Sequence, residues 1–233
     1  MEQFGRLFVA LGEELKLPLQ QIARQAELQQ LLDKNSSGSM QRIQTSADMS
    51  LHLLDSYLMS LQLGMQPAAK LALEPVSVAA VLHETKDQLR VIAREYGVNL
   101  ELHVDGKYEP VLAHYAGLKS ALLALGYALI EALPASEMPQ LNLQFAAHRT
   151  KYGIVAGMYS ELPNLTPQAF RRGKALAGRA KQPLTGSLPG SSAGLFVADM
   201  LLQSMESHLR VGRFQRMPGF AVTLPPSEQL QLV

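Results

Sequence analysis

The residues of this chain best suited to chemistry fall in three places. Gly190-Ser191-Ser192-Ala193-Gly194-Leu195 opens an apolar helical pattern. The free amides and positive dipole end of a helix N-terminus suit an anion there. The same serines also read as an ordinary N-cap. Glu13 and Glu14 stand together ahead of Leu15-Lys16-Leu17-Pro18-Leu19. Two adjacent acids read either as a solvated helix face or as a fixed negative charge. The six histidines, His52, His83, His103, His114, His148 and His208, are dispersed. No His-x-x-x-His metal pair, Ser-His-Asp cluster or Walker-type phosphate loop is present. There is no cysteine, which excludes disulfides, thiolate metal sites and cysteine nucleophiles and is compatible with a cytoplasmic location. Lys16, Arg24, Arg171, Arg172, Lys174, Arg179 and Lys181 are basic but scattered, and the net charge is +1. Neither feature makes a nucleic-acid footprint.

The elements that must carry these residues divide the chain in two. With 233 residues, 47% apolar and 18% charged, it has the material for one or two domains with a substantial core. A first helix is expected from about Gln3 to Asp33. Phe4, Phe8, Leu11, Leu15 and Ile22 form one helical stripe, which Leu7, Leu19, Leu28 and Leu32 widen. Pro18 interrupts the pattern and should kink it. Asn35-Ser36-Ser37-Gly38-Ser39 reads as the loop of a hairpin. A second helix runs from about Met40 to Leu63, with Ile43, Ala47, Leu54, Leu58 and Leu61 on its buried face. One hairpin cannot cover two wide apolar stripes, so a second copy completing a four-helix bundle is expected.

Gly64-Met65-Gln66-Pro67 breaks the helical pattern. Beyond it the reading is α+β: a helix over Val78–Tyr96, a strand over Val98–Val104 and an apolar helix over Tyr115–Leu133. Strands Leu141–Ala147 and Tyr152–Met158 then pair around His148-Arg149-Thr150. A mobile loop between Arg171 and Pro189 leads to a helix over Ser192–Met205. A closing hairpin, His208–Phe214 and Phe220–Leu224, turns at Met217-Pro218-Gly219. No apolar run reaches the roughly 18–20 residues needed to cross a bilayer, and no signal peptide opens the chain. No membrane association is expected.

Glu14, Leu15, Lys16, Pro18 and Leu19 resemble the S-H-E-L-R-T-P-L phosphoacceptor motif of sensor histidine kinases, with Glu13 in the place of the histidine. The order of elements after Pro75 resembles the ATP-binding domain of the same family. Gly219-Phe220-Ala221-Val222-Thr223-Leu224-Pro225 resembles that domain's ending. The resemblance implies three units: a dimerisation and phosphotransfer-like hairpin over 3–63, a linker over 64–75, and a histidine-kinase-like ATPase domain over 76–226. A tail over 227–233 follows. It implies an α/β sandwich for the second domain.

The family's nucleotide contacts are degenerate here. Where it carries two asparagines on a helix, one ligating magnesium through oxygen, this chain has Ala124 and Ala128 within Leu122–Leu129. Where it carries an aspartate that reads adenine, followed by glycines, this chain aligns Gly157, Tyr159 and Glu161. Of its last glycine box only Gly190 and Gly194 remain. No bound cofactor, no metal and no catalytic residue are therefore expected. His52 is a weak alternative acceptor, and Glu13 with Glu14 could imitate a phosphorylated state. The leading expectation is an inactive relative that docks the receiver domain of a response regulator, or a partner kinase, as a homodimer. The docking surface would comprise Leu19, Ile22, Ala23, Ala26, Tyr57 and Leu58. A divergent phosphotransferase is one alternative. A regulator binding a ligand in the vacated cleft near Tyr127, Tyr159 and Gly194 is another.

Overall fold

The computed structural model describes residues 18, 21–22, 43, 47, 50–52, 54–59, 72–104, 106–132, 141–161, 165, 167–168, 170–171 and 192–227. Most of the expected helical hairpin lies outside them, as do Glu13, the 35–39 loop and the segment 172–191.

The described part from Leu73 onward is a sheet covered on one face by three helices. Its elements in chain order are β1 (Glu74–Val76), α1 (Val78–Glu95), β2 (Val98–Val104), β3 (Val111–Ala113) and α2 (Tyr115–Ala132). Then follow β4 (Leu141–Thr150), β5 (Gly153–Ser160), α3 (Ser192–Ser204), β6 (Arg210–Phe214) and β7 (Met217–Leu224). Five strands form the main sheet in the order β2-β4-β5-β7-β6, while β1 and β3 make a separate antiparallel pair. β2 and β4 run parallel, with Val98 opposite Leu141, and the remaining pairs are antiparallel.

α1 forms because Val78, Val81, Leu82, Leu89, Ile92 and Ala93 recur at helical spacing, and all six are buried. Ser77 caps it, its hydroxyl accepting from the Ala80 amide at 3.4 Å. Gly97, at φ 68°, ends it in the left-handed region that glycine tolerates. From Ala121 to Ile130 α2 is apolar on every side because it lies in the middle of the core, where Leu122, Leu125, Leu129 and Ile130 are at most 1% exposed. Its N-terminus is capped by His114, whose Nδ1 accepts from the Gly117 amide at 3.0 Å. Glu84 of α1 ties the two helices together. It accepts a hydrogen bond from the Tyr115 hydroxyl and an ion pair from Lys119 Nζ at 2.9 Å. The Tyr115 hydroxyl and then the Lys119 ammonium hold the Glu84 carboxyl below its usual range, and the Glu84 carboxylate in turn pushes the Tyr115 phenol up. A depressed carboxylate stabilises the fold at pH above its unfolded pKa, and this tie is lost as pH falls through its folded one.

Along β4 and β5, Leu143, Phe145, Ala147, Ile154, Ala156 and Met158 face the helices and join Phe220, Val222 and Leu224 of β7 in the main core. The alternate residues Ala146, Tyr159 and Ala221 form a second, smaller apolar group with Val155, Phe214 and Met217 on the opposite face.

Two expected turns move. Strand β4 continues through His148, Arg149 and Thr150, and the chain reverses at Lys151-Tyr152, with Thr150 paired to Gly153. The closing hairpin reverses at Gln215-Arg216, so Met217-Pro218-Gly219 belongs to strand β7, and Phe214 pairs with Met217. At the second, Gln215 and Arg216 both have positive φ, the two-residue geometry that matches the strand twist. The β1–β3 pair was not anticipated. β1 begins at Glu74, inside the expected linker, and Ser227, placed in the expected tail, donates its amide to Pro110 O at 2.7 Å.

Candidate functional site

Three of the positions singled out from sequence meet at one helix crossing. Ala124 and Ala128 lie one turn apart on α2 and are buried, at 1% and 4% exposure. Gly194, in the first turn of α3, packs directly on them. A Cβ added to Gly194 would stand 2.7 Å from the Ala124 carbonyl oxygen and 3.1 Å from the Ala128 Cβ. The two helix backbones therefore touch, as only small residues allow. The space that oxygen-bearing side chains would need is filled by the crossing itself. A hard cation takes oxygen ligands, and neither alanine offers one from its side chain. Among the described residues no cluster of three or more His, Asp or Glu groups could hold a metal. The residues at this crossing do not fit a magnesium–nucleotide group. Gly190 lies outside the described residues.

Gly157 is not part of this site. It shares the sheet face of Val155 and Tyr159, which points away from the helices. A Cβ on it would stand 2.6 Å from the Tyr159 hydroxyl oxygen and 2.7 Å from Phe220 O. The Tyr159 ring passes over this glycine and close to Gly219 as well. Burial pushes its phenol up to about 12. At the same end of β5 the residue facing the helices is Ser160, whose hydroxyl donates to Asn142 O at 2.6 Å. The expected ligand cleft of Tyr127, Tyr159 and Gly194 is corrected by this geometry. Gly194 is on the helix layer, Tyr159 is on the far face of the sheet, and Tyr127 is buried at 6% exposure. Both faces of β5 are covered, so Gly153–Ser160 shows no clean polar alternation from which its facing could be read.

Of the six expected docking residues, Leu19, Ala23 and Ala26 lie outside the described residues. Ile22 is half-buried and Leu58 is exposed. Tyr57 is 1% exposed and belongs to the same core cluster as the helices and sheet, with Leu54 and Met59 packed against that cluster. Its place on a docking surface is therefore corrected: it anchors the N-terminal helical segment to the α/β domain. The inward stripe is Ile43, Ala47, Ser50, Leu54 and Tyr57, spaced four and three apart, none of them exposed. Leu58, expected on that buried face, points outward at 45% exposure, and Leu51, seven residues earlier, at 57%. Pro18 is buried, and the Gln21 amide donates to the Tyr96 hydroxyl at 3.5 Å, a second tie to the α/β domain; the expected kink involves neighbours outside the described residues. His52 is exposed.

No protein-family model matches the chain, and no curated protein matches it in sequence. Solved structures do. The histidine kinase AdeS of Acinetobacter baumannii is similar at a TM-score of 0.55 and 16% identity, covering 92% of this chain and 98% of its own. The catalytic domain of the histidine kinase ThkA matches 66% of this chain and 95% of its own at 0.51 and 12%. Full-length ShkA, solved with AMPPNP, matches 90% of this chain at 0.56 and 19%, and this chain spans 46% of its length. At these identities the likeness is one of fold: the α/β part has the architecture of a histidine-kinase ATP-binding domain. No described helix is long and apolar enough to cross a membrane.

Proposed function

We propose that this protein is a pseudokinase of two-component signalling: a homodimeric docking module that binds a response-regulator receiver domain or a partner histidine kinase without using ATP. The observation that supports it best is the Ala124–Ala128–Gly194 crossing. The fold keeps the helix and sheet that elsewhere cradle a nucleotide, while small residues close the position where magnesium ligands belong. Glu13 in the phosphoacceptor's place agrees with it, because a carboxylate does not form the stable phosphoryl–nitrogen link of a histidine. The vacated-cleft alternative is less favoured, since Tyr159 lies on the opposite sheet face from Gly194.

Calorimetric titration with magnesium and ATP tests the nucleotide half of this reading. Each missing hydrogen bond or ionic contact removes about 1–3 kcal/mol. Several together carry a micromolar site beyond about 1 mM, so no saturable heat is expected. A dissociation constant below about 100 μM would revive the divergent-enzyme reading.

The docking half is tested by interferometry against receiver domains of the source organism. The remaining surface follows Pro18 through Leu19, Ile22, Ala23 and Ala26. Ile22→Arg places a charge among apolar contacts, so it should weaken binding by about 10- to 100-fold, in line with 1–3 kcal/mol. Indifference to this change, or no receiver bound at all, refutes the docking role.

A further inference from the structure

On the face of the sheet that points away from the helices, Phe214 and Met217 of the chain's last hairpin pack against Ala146, Tyr159 and Ala221. β7 pairs with β5 only from Gly219 to Leu224, and β6 pairs with β7 alone. Pro218 has no amide proton and cannot prolong the β5–β7 ladder. Residues 213–218 therefore run past the sheet's support. Their turn residues Gln215 and Arg216 have φ of 46° and 71°. That conformation suits a tight hairpin but disfavours residues with a side chain.

From this tip Phe214 reaches back across the sheet. Its ring centroid lies 5.9 Å from His103 on β2, 5.5 Å from Tyr159 on β5, and 6.0 Å from His148 on β4, with which it is stacked at 22°. On the same face, Gln144 Oε1 and His148 Nδ1 are buried without a hydrogen-bond partner among the described residues. The Gln144 amide nitrogen donates to Glu101 Oε2 at 3.0 Å, which fixes the direction of its carbonyl. Two opposed terms meet here. Ring packing holds the tip down, whereas each orphaned polar atom favours any state that admits water.

We propose that residues 213–218 form a strap that opens as a unit about Gly219, uncovering His148 to water while the rest of the sheet stays folded. Phe214 is its latch. The strap is independent of the docking role and stands or falls separately from it.

Amide hydrogen exchange on the full chain tests it. The tip amides should exchange on the order of 100-fold faster than those of Phe220–Leu224, through an opening insensitive to low denaturant. Phe214→Ala removes the latch and should speed tip exchange by about tenfold, leaving β4 and β5 unchanged. His148→Phe keeps the ring stack and deletes an orphaned nitrogen, so it should slow tip exchange by about tenfold. Tip exchange that occurs only with global unfolding in the unmodified protein overturns the proposal, as does faster tip exchange in His148→Phe. If Phe214→Ala fails to fold, those two measurements decide the matter alone.

Discussion

Tyr57→Ala should lower folding stability by about 3–5 kcal/mol, the range for removing a large buried aromatic side chain. Tyr57 is 1% exposed and belongs to one core cluster with Leu82, Leu89, Ile92 and the sheet. Its removal leaves a cavity at the join between the N-terminal helical segment and the α/β domain, where half-buried Leu54 and Met59 are the described apolar residues of that segment packed on the core. Chemical denaturation should show a lowered midpoint for the α/β domain too, because the two parts share this core. A loss within about 0.5 kcal/mol would mean that the site behaves as surface, and the packing of the segment on the domain would be wrong.

The neighbouring residue should behave in the opposite way. Leu58→Glu should leave folding stability within about 0.5 kcal/mol, because Leu58 is 45% exposed in the single chain. It should nevertheless abolish dimerisation. Leu58 and Leu51, seven residues apart, present an apolar line that the chain itself leaves uncovered, and a second copy of the same helix is the proposed cover. Two symmetry-related glutamates buried there would cost several kcal/mol, on the order of a 1,000-fold weaker dimer. Light scattering at tens of micromolar should find a dimer for the unmodified protein and a folded monomer for the variant. An unmodified monomer at that concentration removes the homodimer from the proposed function. The pair Tyr57 and Leu58 thus separates what the helix does for its own chain from what it offers to another.

That separation was not legible in the sequence. The second helix carries apolar residues on more than one side, so periodicity put Leu58 inward, while the family resemblance put Tyr57 with Leu58 on a docking surface. Which stripe meets the α/β domain depends on residues far along the chain. Gly157 was misplaced for a related reason. β5 is buried on both faces, so its residues do not alternate between apolar and polar, and a local motif alignment could not tell which face a given position takes. β1 and β3 escaped notice because three-residue strands have no period of their own; they exist through pairing across more than 30 residues, Glu74 to Ala113.

Other parts were settled locally, before any tertiary contact. α1 and β2 have the boundaries that amphipathic spacing implies to within a residue, since Ser77, Gly97 and the alternation from Val98 to Val104 act on neighbours only. The absence of side-chain oxygens at positions 124 and 128 is a property of the residue types alone, and so is the absence of a histidine at position 13. What the tertiary structure added at the first of these is the consequence. Alanine at both positions permits the α2–α3 contact, but it is the approach of Gly194 that brings the two backbones together and fills the space. Residue type decides which groups can ligate or react, because that chemistry is carried within a side chain. Whether two such groups share a site, face opposite ways or close on each other depends on packing between distant segments, which no window of the sequence contains.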